Sequence, residues 1–278
     1  MSALPAGQVL DPPGASVADA ADLERRFGGL RRLYGEAAYR RIRAAHVAVV
    51  GVGGVGSWTA EALARSGVAA LTLLDLDQVS ESNINRQVQA VGSTLGMAKV
   101  EALRARLADI HPGCAIAGLE EFVDETNWPA LLARPADVVV DACDDGRAKA
   151  VIAAWARRTA TPLVCVGAAG GKRAAERVET GDLADVTHDP MLAALRQRLR
   201  KQHGAPRSGA LGISCVFSRE SVALPSPEDA VCEADGSLNC HGYGSSVAVT
   251  AAFGMVAAAR ALELAASPPC RAARPAAL

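Results

Sequence analysis

The chain has 278 residues, half of them hydrophobic, with 29 basic residues against 30 acidic ones and a formal net charge of −1. A chain this long can bury a sizeable core in one large α/β domain, and its charge balance excludes a globally basic nucleic-acid binder, so any RNA contact must come from a local patch. Seven scattered cysteines with no C-x-x-C pair argue against a zinc site, and with no signal-peptide pattern they point to a reducing, cytoplasmic setting.

Residues 1–20 are rich in Ala, Pro and Gly and read as a disordered tail, as do residues 267–278. Between them, 21–266 is expected to form a single domain. VAVVG at 47–51 is a short buried strand, residues 55–66 have helical spacing, and Gly67 stops that helix. AALTLLD at 69–75 is a second buried strand, GMAKVEALRARLADIHPG at 96–113 a helix, and CAIAGLEEF at 114–122 a third strand. Thr126 is placed as the cap of a short helix before Pro135. ADVVVDA at 136–142, RAKAVIAAWARRTA at 147–160 and PLVCVG at 162–167 continue as strand, helix and strand. This alternation predicts a Rossmann-like, doubly wound and mostly parallel sheet covered on both faces.

After Gly167 the rhythm breaks, and the C-terminal half is elaborated. Residues 167–190 are polar and glycine-containing, with a strand expected inside them. Asp189-Pro190 then opens a helix, a capping acid with proline at the first helical position. Leu192, Leu195 and Leu199 form its apolar stripe, while Arg196, Arg198, Arg200 and Lys201 fill the rest of its surface. The charge-free segment 245–259 has fifteen residues, short of the roughly 20 that span a bilayer, and is expected to be a buried or interface helix, not a membrane segment.

The chemistry concentrates where strand meets helix. Gly51-x-Gly53-x-x-Gly56, with Gly54 inside it, succeeds the first strand. Glycines there allow a tight turn and close approach to a phosphate, which the helix N-terminus then favours. Asp75 ends the second strand, where an acid commonly accepts hydrogen bonds from ribose hydroxyls. Both features suit NAD and ATP equally. The next stretch of chain favours ATP: Asp77, then Asn83, Arg86 and Gln87 in one loop, then Lys99 opening the next helix. Arg and Lys converging on one crevice suit a polyphosphate. Asp144 and Asp145 come after the fourth strand. Asp144 is assigned to magnesium, which takes one or two carboxylates beside phosphate oxygens, and Asp145 to capping the next helix.

In order, GVGGVGS at 51–57, D-x-D at 75–77, SNINRQ at 82–87, GMAKV at 96–100 and DACDD at 141–145 resemble the ThiF/MoeB/HesA family of ubiquitin-activating-enzyme-like adenylating enzymes. RFGGLRRLYGEAAYRRIRAAHVAVVGVGGVGSW at 26–58, GAAGG at 167–171, LGISCVFS at 211–218 and GYGSSVAVTAAFGMVAA at 242–258 extend the resemblance to its tRNA threonylcarbamoyladenosine dehydratase branch. The resemblance implies that Asp75 binds ribose, that Asn83, Arg86 and Lys99 contact phosphates, and that Asp144 holds magnesium. It also implies ATP as the nucleotide, a homodimer, and tRNA carrying N6-threonylcarbamoyladenosine at position 37 as substrate. The threonine carboxylate would be activated and the ring closed with loss of water. The nucleotide site would lie mainly in 46–150 and the substrate-side elaboration in 167–245.

Relatives that serve sulfur-carrier proteins often bear paired C-x-x-C zinc ligands, which this chain lacks. Relatives also place an arginine finger three residues after an Arg-Tyr; here that spacing from Arg26-Phe27 lands on Gly29, so either Arg26, Arg31 or Arg32 substitutes, with Arg32 preferred, or the finger is absent. Cys215, Cys232 and Cys240 fall where some relatives carry a thioester-forming thiol; here they read as incidental, since free cysteine behaves as a small hydrophobe. Arg196, Arg200 and Lys201 form the candidate tRNA surface. A sulfur-transfer protein is a further possible partner. The other function classes are an adenylating enzyme for a ubiquitin-like sulfur-carrier protein, which would need a carrier with a Gly-Gly tail, and an NAD-dependent oxidoreductase or nucleotide-sensing module.

Overall fold

A computed structural model describes residues 22–223 and 243–268. The tail 1–20, nearly all of 267–278, Cys232 and Cys240 lie outside the described residues. Seven strands form one sheet: β1 (His46–Val50), β2 (Ala70–Leu74), β3 (Ala115–Leu119), β4 (Val138–Asp141), β5 (Leu163–Val166), β6 (Val178–Asp182) and β7 (Ser214–Ser218), in the order β3-β2-β1-β4-β5-β7-β6. All neighbouring pairs are parallel except β6–β7. The order reverses between β1 and β4, so a crevice opens beyond their carboxyl ends, where doubly wound sheets bind ligands.

Three short helices, α1 (Leu23–Phe27), α2 (Gly29–Tyr34) and α3 (Glu36–Ala44), precede β1. They are succeeded by α4 (Gly56–Arg65), α5 (Lys99–Ile110), α6 (Gly146–Thr159), α7 (Pro190–Gln202) and α8 (Val247–Ala266). Strand residues alternate between two buried layers because side chains in a strand point to opposite faces. Val47, Val49, Leu71 and Leu73 pack with Leu63, Leu103, Leu107 and Phe253 on one side. Ala48, Val50, Cys165 and Phe217 pack with Ile152, Leu192, Leu195 and Leu199 on the other.

The caps set where the helices begin. Asp145 accepts from Arg147 N and Ala148 N and starts α6, while Asp189 accepts from Leu192 N and starts α7 with Pro190 in its first turn. Each such cap contributes about 1 kcal/mol. All but the first two residues of the segment 245–259 fall in α8, which Ser246 caps, a helix long and apolar enough to cross a membrane by length and composition. Val249, Phe253, Ala257 and Ala261 on one of its faces fill the core. Its Gly254 lets α4 cross closely, for a Cβ there would lie 2.7 Å from Trp58 Cβ.

The short helix expected before Pro135 is not formed. Residues 125–131 make turns instead, and Thr126 donates where a cap would accept. Its amide (2.7 Å) and hydroxyl (2.6 Å) both reach Asp124 Oδ1, which also accepts Asn127 N. The carboxylate is the stronger acceptor and closes its own turn two residues earlier.

Candidate active site

The chain leaves β1 at Gly51, whose φ of +80° is a conformation that L side chains rarely adopt. Its amide donates to Leu74 O (2.7 Å), joining the turn to β2. Gly56 begins α4 so close to this turn that a Cβ there would sit 1.8 Å from Gly51 O. At Gly53 a Cβ would meet nothing nearer than Gln87 Nε2 at 3.9 Å. The turn therefore presents bare backbone to a cleft of about 490 Å³.

Asp75, Asp77, Asn83, Arg86, Gln87, Lys99 and Asp144 all line this cleft with Gly51, Gly53 and Gly54. Gly56 does not line it; its part is to let the turn close. Asp75 accepts Val52 N (2.8 Å) and Asp77 N (3.0 Å), so the second strand holds the glycine turn through a side chain. Burial pushes its carboxyl up, against the pull of the nearby Lys99 charge. Asn83 Oδ1 accepts Ser80 N (3.1 Å) and closes the 3₁₀ turn Glu81–Asn83. Arg86 donates to Ser82 O (2.6 Å) and Asn85 Oδ1 (3.0 Å), and its stem lies against Gly54. Burial lowers its pKa. Gln87 is buried and accepts from Gln89 Nε2, which also donates to Val52 O. Lys99 is buried at the start of α5 and pairs with the exposed Asp77 carboxylate at 2.6 Å. The cleft thus carries two cations and a helix N-terminus around a glycine floor, an arrangement that stabilises a polyanion.

Among the described residues no group of three or more His, Cys, Asp or Glu could hold a metal by itself. Asp144 on the cleft wall suits a magnesium ion completed by phosphate oxygens, which needs no such group.

A family model for ThiF matches residues 26–274. The chain belongs to the ThiF family. The tRNA threonylcarbamoyladenosine dehydratase of Escherichia coli K12 is 41% identical over 248 residues, spanning 86% of this chain and 92% of that protein. The crystal structure of the E. coli tRNA N6-threonylcarbamoyladenosine dehydratase in complex with ATP is 40% identical, covers 87% of this chain and 95% of that one, and superposes with a TM-score of 0.78. Another relative, the E. coli molybdopterin-synthase adenylyltransferase, is more distant at 29% identity over 69% of this chain.

In this ThiF protein the cleft extends beyond the segment 46–150. Gly167 to Gly170, Met191, Tyr243, Ser245 and Thr250 form its second wall. GAAGG stood out in the sequence only by resemblance; its place on the cleft is a long-range contact. Sequence reasoning also missed what lies beneath. Asp141, at the end of β4, faces Lys149 of α6, and neither side chain is exposed. Cys143, on the cleft wall, donates to Asp141 Oδ1 (2.9 Å), and Cys165 donates to Asp141 Oδ2 (3.4 Å). The available signal was a lysine on the alanine stripe that α6 buries. Cys215 is buried beside Cys165 across the β5–β7 register, and their contact, with burial, pushes the Cys165 thiol up.

The arginines near the N-terminus separate by their partners. Arg26 donates to Asp109 O and Ile110 O at the end of α5. Arg31 pairs with Glu24 and Glu36 and lies over the Tyr39 ring. Arg32 is exposed, and its side chain makes no hydrogen bond or ion pair among the described residues; it does not line the cleft of its own chain. On α7, Arg196 donates to Leu183 O (3.0 Å) and Val186 O (2.7 Å), and Arg200 to Pro206 O (3.1 Å). Both, with Lys201 and Arg207, line a surface groove.

Proposed function

We propose that the protein is an ATP-dependent tRNA-modifying enzyme that activates the threonine carboxylate of N6-threonylcarbamoyladenosine at tRNA position 37 and cyclises it with loss of water. The observation that carries this reading is the likeness, over 87% of the chain, to a dehydratase structure complexed with ATP. The glycine-floored cleft has the chemistry such a reaction needs. A carboxylate is a poor electrophile because its oxygen must leave. Attack of that oxygen on the α-phosphorus of ATP expels pyrophosphate and yields an acyl-adenylate. The substrate's own ureido group then attacks the acyl carbon and AMP departs. One carboxylate oxygen leaves with AMP and a ureido proton is released, so the nucleoside becomes lighter by one water.

Positioning and charge stabilisation carry both steps, and no protein nucleophile is required. The bare backbone at Gly51, Gly53 and Gly54 takes the phosphates, with Gly56 closing the turn. Asp75 meets the ribose, Asn83 and Gln87 orient the phosphate chain, and Arg86 and Lys99 offset its developing charge. Asp77 holds Lys99 until nucleotide arrives. Asp144 would hold a magnesium ion, which would neutralise phosphate charge. Arg196, Arg200 and Lys201 on α7 would follow the tRNA backbone.

The active form in this reading is a homodimer. Exposed apolar side chains at Ile84, Val91, Leu95 and Met97, and at Val247 and Met255 on α8, supply surface of the kind an interface buries. Arg32, unpaired among the described residues of its own chain, would reach a partner's nucleotide as the finger.

Nucleoside mass spectrometry tests the reading. Purified protein is incubated with ATP, magnesium and tRNA bearing threonylcarbamoyladenosine, then digested gently. ATP-dependent loss of one water at that nucleoside is the expected result. No change, with ATP binding demonstrated and tRNA intact, sinks the reading and sends the search to carrier-protein tails. Thermal protection by NAD and not by ATP would favour an oxidoreductase instead.

A further inference from the structure

Resting on that reading, we propose that Asp189 is a positioning residue for the reaction. It locks the Gly167–Gly170 wall of the cleft to α7, so that the helix bearing the basic groove and this wall move as one body. The carboxylate is buried, 2% exposed, and each oxygen has its own task. Oδ1 accepts Leu192 N at 3.0 Å and caps α7. Oδ2 accepts Ala168 N at 2.8 Å, across 21 residues of chain. The contact is closer than any side chain at 167 would permit: a Cβ on Gly167 would lie 2.2 Å from Asp189 Oδ2 and 3.0 Å from Leu192 Cδ1. Gly167, Ala168, Ala169, Gly170 and Met191 then line the same cleft as the glycine turn.

The far end of the same loop is pinned by other groups. Lys172 is buried and donates to Ser218 O (2.9 Å) and Glu220 O (3.2 Å). Glu220 accepts Arg173 N (3.0 Å) and Ala174 N (2.9 Å). Glycine-rich backbone has high intrinsic freedom, so a wall built from it keeps its shape only through such anchors. Backbone bonds from Gly167 N to Val216 O (2.9 Å) and from Gly171 N to Gly244 O (2.9 Å) hold the two ends of the wall, and Asp189 is its side-chain anchor between them. It is also the one that joins the wall to Arg196 and Arg200, seven and eleven residues further along α7.

The test compares Asp189→Ser and Asp189→Asn with the unaltered protein. Serine keeps an effective helix cap but is too short to reach Ala168 N. Asparagine keeps one acceptor oxygen and turns an amide toward the other N–H. Three quantities are measured on each: ATP affinity, affinity for the modified tRNA, and single-turnover loss of water, corrected for the folded fraction. The expected result is turnover reduced about 10- to 100-fold, the scale of a small misplacement of reacting groups, with both affinities within about twofold. Turnover per folded molecule equal to the unaltered protein would overturn the proposal. So would parallel loss of ATP affinity and turnover, which would mark a general collapse of the cleft. Absence of turnover in the unaltered protein would refute the dehydratase reading itself, so the two failures are told apart.

Discussion

Asp141 Oδ1 and Lys149 Nζ meet at 3.1 Å with both side chains fully buried, directly beneath the turn that carries Asp144 and Asp145. Lys149 also donates to Val166 O at 2.9 Å, so one ammonium ties the ends of β4 and β5 to the start of α6. Burial works against that charge, but the Asp141 carboxylate beside it outweighs burial and holds the lysine above its ordinary range. Burial, with the same carboxylate, pushes the Cys143 thiol up, which favours its protonated form on the cleft wall.

Removing one partner leaves a buried charge alone. Lys149→Met or Asp141→Asn is expected to destabilise the fold by about 3–5 kcal/mol, read by equilibrium denaturation. The double variant recovers part of that loss, since neither charge is then stranded. A double variant as unstable as the sum of the singles would show that the two groups act independently.

The glycine turn separates a folding role from a binding role. Gly56→Ala places a Cβ against Gly51 O and is expected to abolish both stability and nucleotide binding. Gly53→Ala meets only open space and the far end of Gln87. It should fold with its melting temperature nearly unchanged while ATP affinity falls roughly tenfold, equivalent to about 1.4 kcal/mol. Unchanged affinity in Gly53→Ala would remove that residue from the phosphate site.

Much of the fold was legible in the sequence because it rests on local periodicity. The parallel strands announce themselves as short apolar runs between helices, and Asp189-Pro190 and Asp145 are local caps. The features that were not legible depend on contacts far apart in the chain. The helices α1 to α3 are rich in charge; they are held by Phe27 against the His111 ring and by Arg43, which donates to Gly67 O. β7 comes after a glycine-rich loop and pairs antiparallel with β6, against the rhythm before it. Thr126 looked like a cap because its type suits one, but Asp124 had already taken the amides. The second wall of the cleft is invisible locally, since nothing in GAAGG indicates Asp189, which lies beyond β6.

His111 should make stability depend on pH. Burial and the Arg43 charge push it down to about 4, and Arg43 donates to its Nε2 at 3.2 Å. In the unfolded chain it titrates near 6.5. Between those values the unfolded state binds a proton that the folded state does not, so stability rises with pH across that window and is lost on acidification. The whole effect is at most about 3.4 kcal/mol. Denaturation midpoints at pH 4.5 and 7 should differ less in His111→Gln than in the unaltered protein. Equal differences would place the acid sensitivity elsewhere.

The groove on α7 predicts a salt signature. Arg196 already donates to Leu183 O and Val186 O, so reversing it alone would disturb α7 as well as any RNA contact. Lys201 and Arg207 are exposed and carry less structure. Reversing Arg200, Lys201 and Arg207 together should weaken binding of modified tRNA at low salt and leave ATP affinity unchanged. The slope of log affinity against log salt should fall by about 0.7 to 0.9 for each phosphate no longer engaged. Adding Arg196→Glu should weaken binding further and lower stability as well. If the first three reversals leave the slope unchanged, the groove is an ordinary solvated face and the RNA backbone lies elsewhere. If ATP affinity falls with tRNA affinity, the substitutions have disturbed the fold beyond the groove, and the loss of tRNA binding is not a loss of phosphate contacts.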